Sequence, residues 1–114
     1  MHELSLCEAI AATVSRHVGA RGATAAGVVV RIGHLRQVVP DALSFCWTML
    51  TEGTDLADCT LEIEQVPAVV RCNACGEETE LDVPLMLCAA CEGDDVTLLS
   101  GEEFLVVAVD LVEA

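Results

Sequence analysis

Between residues 2 and 18 the apolar positions Leu4, Cys7, Ala11, Val14 and Val18 recur at steps of three and four, which is one face of a helix. Leu6 and Ile10 widen that stripe, Glu8, Ser15 and Arg16 lie outside it, and Gly19 and Gly22 are placed to end it. The period then changes to two. From Gly27 to Leu35, Val28, Val30 and Ile32 alternate with Val29 and Arg31, as on a strand. Pro40 suits the first position of a second helix and Asp41 its first turn, where the helix dipole favours negative charge. Leu43, Cys46, Trp47 and Leu50 form the expected buried stripe of this helix, and Gly53 closes it. Leu61 to Val66 alternates apolar residues with Glu62 and Glu64, a strand with one wet face that ends at Pro67. Phe104 to Val112 is almost wholly apolar and predicts a last, largely covered strand.

These elements predict an α/β (α+β) fold, two helices packed on a small three-stranded sheet, with residues 68–100 inserted as a separate zinc-ribbon-like module. A module that leaves one strand and returns into the next suggests that those two strands are antiparallel neighbours.

The inserted module carries the strongest motif in the chain: Cys72-Asn-Ala-Cys75 and, twelve residues on, Cys88-Ala-Ala-Cys91. Each Cys-x-x-Cys turn folds tightly enough for both sulfurs to face one ion, and two such turns supply the four thiolates of a tetrahedral zinc centre. A thioredoxin-like redox motif needs only one pair, and Pro84 with the intervening acidic residues does not fit its helical context. Iron held as in a rubredoxin remains open, and with it a rubredoxin-like electron carrier. Four protein sulfurs leave no position for water or substrate, so the centre is expected to be structural. Its binding energy, on the order of 10–16 kcal/mol for such sites, suffices to fold a module with little core of its own. Cys7 and Cys46 read as small core residues.

Charge narrows the functional classes. The 114 residues hold five Arg, no Lys and nineteen acidic residues, for a formal net charge of −14. A four-thiolate divalent centre adds a further −2. Such a chain repels phosphate backbones, which weighs against a zinc-ribbon nucleic-acid adaptor and leaves no nucleic-acid partner expected. No apolar run approaches the roughly 20 residues of a membrane span, and no signal peptide is visible, so a cytoplasmic protein without a membrane partner is expected. No phosphate-cradling glycine loop or nucleophile–base pairing points to an enzyme.

The start of the chain is the second candidate site. Methionine aminopeptidases act on small second residues, so Met1 is expected to stay and His2 to remain second. A histidine there offers imidazole and main-chain nitrogens together, with the Glu3 carboxylate in reach, a set suited to square-planar Ni(II) or Cu(II).

Met1-His-Glu-Leu-Ser-Leu-Cys-Glu8 opening a helix, Ile32-Gly33, Val39-Pro40 with Leu43 and Phe45, Leu61-Glu-Ile-Glu64, the Arg71–Cys91 module and Gly101-Glu-Glu103 together resemble the HypA/HybF family of hydrogenase maturation proteins, nearly end to end. The resemblance implies a metallochaperone that delivers nickel for assembly of nickel–iron hydrogenase, and in some relatives urease. It implies two partners, a HypB-type GTPase and the hydrogenase large subunit, with the chaperone a monomer or homodimer. By position, His2 is the nickel ligand through side chain and amide, Glu3 a neighbouring ligand or supporting group, and Asp41 an acidic residue near the site. Cys72, Cys75, Cys88 and Cys91 hold structural Zn2+, while Ni2+ is bound transiently. Residues 1–67 and 101–114 then form the nickel-binding domain and 68–100 the zinc-binding module. Two positions depart from the family pattern. Ala89-Ala90 and Glu92 stand where relatives often have a proline inside the second knuckle and a glycine after it, and His34 stands where an acidic residue is common. Because imidazole and amide nitrogens lose protons on binding, nickel affinity is expected to fall as pH drops.

Overall fold

The computed structural model describes residues 2–113 and divides into two compact units. Unit 1 comprises residues 2–31, 38–64 and 105–113; unit 2 comprises 32–37 and 65–104. The expectation for Met1 lies outside the described residues.

Helix α1, Glu3–Arg21, runs through Gly19 and stops at Gly22, whose φ of 62° is the left-handed turn a helix end needs and whose N–H donates to Val18 O at 2.9 Å. Its buried stripe is Cys7, Ile10 and Val14. Leu4, expected inside, is 51% exposed, because the apolar arc is one turn shorter than the spacing implied. Strand β1, Ala23–Gly33, begins four residues earlier than expected and buries Val28, Val30 and Ile32 as the alternation requires. Pro40 opens helix α2, Pro40–Thr51, which buries Leu43 and Trp47. Cys46 and Leu50 are only half-buried, and Thr51 takes the remaining inward position with its hydroxyl donating to Trp47 O at 2.8 Å. The Trp47 indole N–H donates to Cys59 O at 2.8 Å, so the one tryptophan is buried with its polar atom satisfied. Cys7 sits between the helices, its thiol 3.4 Å from Leu43 O, and burial pushes that thiol up to about 11.

Strands β2, Thr60–Val66, and β6, Phe104–Glu113, complete the first sheet in the order β2-β1-β6. The expected β2–β6 adjacency is therefore wrong. Thr60 Oγ1 donates to Ala26 O and Arg31 pairs with Glu64 at 3.1 Å, so β2 lies parallel to β1. A parallel neighbour needs a crossover, which α2 supplies. Gly33 N–H donates to Glu103 O and Gly27 faces Asp110, so β6 runs antiparallel along the other side of β1. As an edge strand, β6 is also less covered than its apolar composition suggested: Leu105 and Val112 are more than half exposed.

Unit 2 is built on a second sheet, β4-β3-β5, of β3 (Ala68–Cys72), β4 (Glu78–Leu81) and β5 (Val96–Ser100). Both pairings are antiparallel, with an irregularity at Val69/Val70 on the β5 side. Ala68, Val70 and Leu81 form its core, joined by Leu35, Val96 and Leu98. Residues 32–37 enter this unit at a close crossing. Leu35 N–H donates to Gly101 O at 2.9 Å and Arg36 Nε to Glu102 O at 2.8 Å. A Cβ on Gly33 would overlap the Gly101 carbonyl, and one on Gly101 would lie 2.7 Å from Ala68 Cα, so the crossing admits only glycines.

Candidate metal centre

Two knuckles with the same backbone plan bring the four cysteines together. In the first, Cys72 N–H donates to Glu77 O at 2.8 Å and Gly76 N–H to Cys72 O at 2.9 Å. In the second, Cys88 N–H donates to Gly93 O and Glu92 N–H to Cys88 O, both at 2.9 Å. The residue after the second cysteine is left-handed in both, Gly76 at φ 81° and Glu92 at φ 61°. Glu92 thus takes the conformation a glycine takes in the sister loop, and the departure noted in the sequence leaves the loop geometry intact. The chain around the knuckles is held by side chains. Asn73 donates to Asp95 Oδ1 at 3.0 Å and accepts from Thr97 Oγ1 at 3.1 Å, while Thr79 Oγ1 accepts from Ala89 N–H at 3.1 Å.

The four sulfurs lie within 4.8 Å of one another, with Cys72–Cys91 and Cys75–Cys88 at 3.6 Å. That is far beyond a disulfide bond of about 2.05 Å. It is close to the roughly 3.8 Å edge of a tetrahedron with zinc–sulfur bonds of about 2.3 Å. Cys72 and Cys88 are buried, Cys75 and Cys91 exposed. Main-chain N–H groups, chiefly those of Cys75 and Cys91, draw the Cys72 and Cys88 thiols down. For Cys75 and Cys91, N–H groups at Glu77 and Gly93 pull the same way, but neighbouring sulfurs outweigh them and push both thiols up. A divalent cation at the centre resolves that conflict, since it is what allows four close thiolates to be ionised together. The donor set and spacing fit zinc with no open coordination position. Among the described residues this is the only cluster of three or more potential ligand side chains set for one ion. Glu77, Glu78, Glu80, Glu92, Asp94 and Asp95 are all exposed, a solvated face as expected.

At the other candidate site, His2 is exposed at the N-cap of α1, and its carbonyl accepts the first helical bond, from Leu6 N–H at 3.0 Å. Glu3 follows in the first turn, and its Oε2 lies 3.5 Å from Val39 N, the residue that caps α2. The two helix starts therefore face each other, and exposed Asp41 sits in the first turn of α2. His34 is not part of either centre; its Nε2 lies 3.4 Å from Asp82 O.

The family model described as "Hydrogenase/urease nickel incorporation, metallochaperone, hypA" matches residues 1–111. The chain belongs to the HypA family. Among its relatives, the hydrogenase maturation factor HypA of Nostoc punctiforme is 38% identical over 99% of this chain and 97% of its own. That of Desulfosudis oleivorans is 36% identical over 99% of this chain and its own full length. The solution structure of the Ni metallochaperone HypA from Helicobacter pylori superposes over the whole of both chains with a TM-score of 0.67 at 20% identity. A second solution structure, of HypA protein, gives 0.70 at the same identity and covers 98% of that chain. This HypA-family chain is accordingly a nickel metallochaperone of hydrogenase maturation, built on a mixed α/β fold with a four-cysteine centre for structural zinc. Cysteine spacing had pointed to that centre; the clasp formed by Asn73, Thr79, Asp95 and Thr97 had no signal of its own in the sequence.

Proposed function

We propose that this HypA-family chain holds its nickel cargo at the start of α1, with His2 as ligand and Glu3 and Asp41 beside it, while Cys72, Cys75, Cys88 and Cys91 hold zinc. The observation that carries the reading is the exposed His2 at a helix N-cap. The hydrogen-bond ladder of α1 begins at Leu6 N–H, so the His2 main-chain nitrogen can give up its proton to a metal without breaking a helical bond. Imidazole plus deprotonated amide nitrogen is a strong-field set for Ni(II). An exposed site also releases its ion more readily than a closed thiolate cage, which suits transfer rather than turnover. The reading further places this chain in the cytoplasm, between a HypB-type GTPase and the hydrogenase large subunit.

Calorimetric titration of nickel into His2→Ala tests the site. A loss of affinity of at least tenfold, with zinc content by metal analysis unchanged, is expected. Unchanged nickel affinity would place the cargo elsewhere. Pull-down of this chain by a HypB-type GTPase, with and without nickel, checks the partner.

A further inference from the structure

The two edges of the first sheet are finished differently. Edge strand β2 carries exposed Glu62 and Glu64 and runs into Pro67, the charged and proline-ended finish that discourages further pairing. Edge strand β6 carries no proline and a longer uncharged run, Phe104 to Val109. Its charges are Asp110 and, as the last residue, Glu113, and Leu105, Val107 and Val112 are 52%, 39% and 54% exposed. Among the described residues its one neighbour in the sheet is β1, so alternate main-chain N–H and C=O groups point away from the sheet with no described strand to receive them. A ten-residue apolar edge of this kind is an aggregation hazard unless a partner strand covers it.

Beside that edge runs a cavity of about 400 Å³, lined on one wall by Val106, Val107, Ala108, Val109 and Leu111 and on the other by Thr13, His17 and Arg21 of α1. The three helical residues stand four apart, about one per turn of α1. His17 Nδ1 donates to Thr13 O at 2.8 Å, and the residue is exposed. Arg21 is exposed, and no carboxylate of the described residues pairs with it. In a chain of net charge −14, a groove whose ionisable lining among the described side chains is a histidine and an arginine is a local reversal of sign.

We propose that the free edge of β6 receives an extended, acidic segment of a partner protein as a fourth strand of this sheet. Main-chain bonds to β6 supply register and affinity, and the segment's carboxylates lie against Arg21 and His17. A second copy of this chain fits less well, since it brings a further −14 against a molecule of the same charge.

The test uses the full zinc-loaded chain and three fluorescein-labelled ten-residue probes. The first alternates valine and threonine and carries two glutamates toward the end that would lie by Arg21. The second has lysine in place of both glutamates, and the third is the first with alternate main-chain nitrogens methylated. The acidic probe is expected to bind at least tenfold more tightly than the lysine probe, and methylation is expected to abolish binding. Arg21→Glu, at an exposed position, should reverse the charge preference while nickel and zinc binding stay unchanged. Hydrogen exchange should show β6 amides slowed by the acidic probe alone. Absence of binding at millimolar probe, or binding indifferent to methylation, overturns the proposal. So does a concentration-dependent dimer in sedimentation velocity with β6 amides already protected, which would assign the edge to self-association.

Discussion

Glu92 offers a quantitative test of how the zinc centre is built. With φ of 61° it holds a left-handed conformation that costs a residue bearing a Cβ about 1–2 kcal/mol, whereas Gly76 at φ 81° meets the same need in the sister knuckle without that cost. Replacing Glu92 by glycine removes the strain but also frees the unfolded chain, a loss of about 0.4–1 kcal/mol. The balance favours the folded knuckle by about 1 kcal/mol. Because zinc binding and module folding are one equilibrium, that gain appears as zinc affinity, roughly fivefold tighter in competition with a chromophoric chelator. Glu92→Ala provides the control. It deletes the charge, worth only a few tenths of a kcal/mol at an exposed site, and keeps the Cβ, so its affinity should stay within about twofold of the native protein. Equal gains for alanine and glycine would refute the strain argument and assign the effect to charge.

At the glycine crossing, Gly33→Ala forces the Gly101 carbonyl aside and disturbs two main-chain bonds, an expected loss of about 3 kcal/mol in urea unfolding. Gly19→Ala, inside α1 with open space around it, should instead stabilise by about 0.5–1 kcal/mol in the same assay. Trp47→Phe orphans the buried Cys59 carbonyl and should cost about 1–3 kcal/mol, followed by circular dichroism because the variant has lost its only tryptophan. Cys7 is held neutral by burial, with its thiol raised from 9.0 to about 11. Its contribution is therefore complete below pH 9 and is lost as pH rises toward 11, so the melting temperature should fall more steeply over that range in the native protein than in Cys7→Ala.

Much of this fold was written in apolar spacing. Val28, Val30 and Ile32 announced β1, Pro40 with Leu43 and Trp47 announced α2, and the four cysteines announced the centre by number and interval. What spacing does not encode is the choice of partner. Periodicity says that β2 and β6 are strands but not that β1 lies between them, a result of the α2 crossover forcing β2 to be parallel. It also counts apolar residues without knowing which edge they will occupy, hence the exposure of Leu105 and Val112. The strands of the second sheet are four or five residues long, with Glu78-Thr-Glu-Leu81 among them, too short for a period to emerge. At the proposed N-terminal nickel site a single histidine carries no spacing pattern; the donor chemistry of His2 drew notice to it, and the family resemblance gave it weight.

The crossing of residues 33–35 with 101–103 bears on the order in which the chain acquires its structure. Both zinc knuckles lie within one stretch from Cys72 to Cys91, so closing the metal loop is a short-range event. The glycine crossing instead joins positions far apart in the chain, and its closure entropy must be met before Leu35 can add to the core of the second unit. The metal is thus expected to be captured by a half-formed module, with the Gly33 strap latched last, and an excised peptide carrying only the cysteines would bind zinc yet lack the latch.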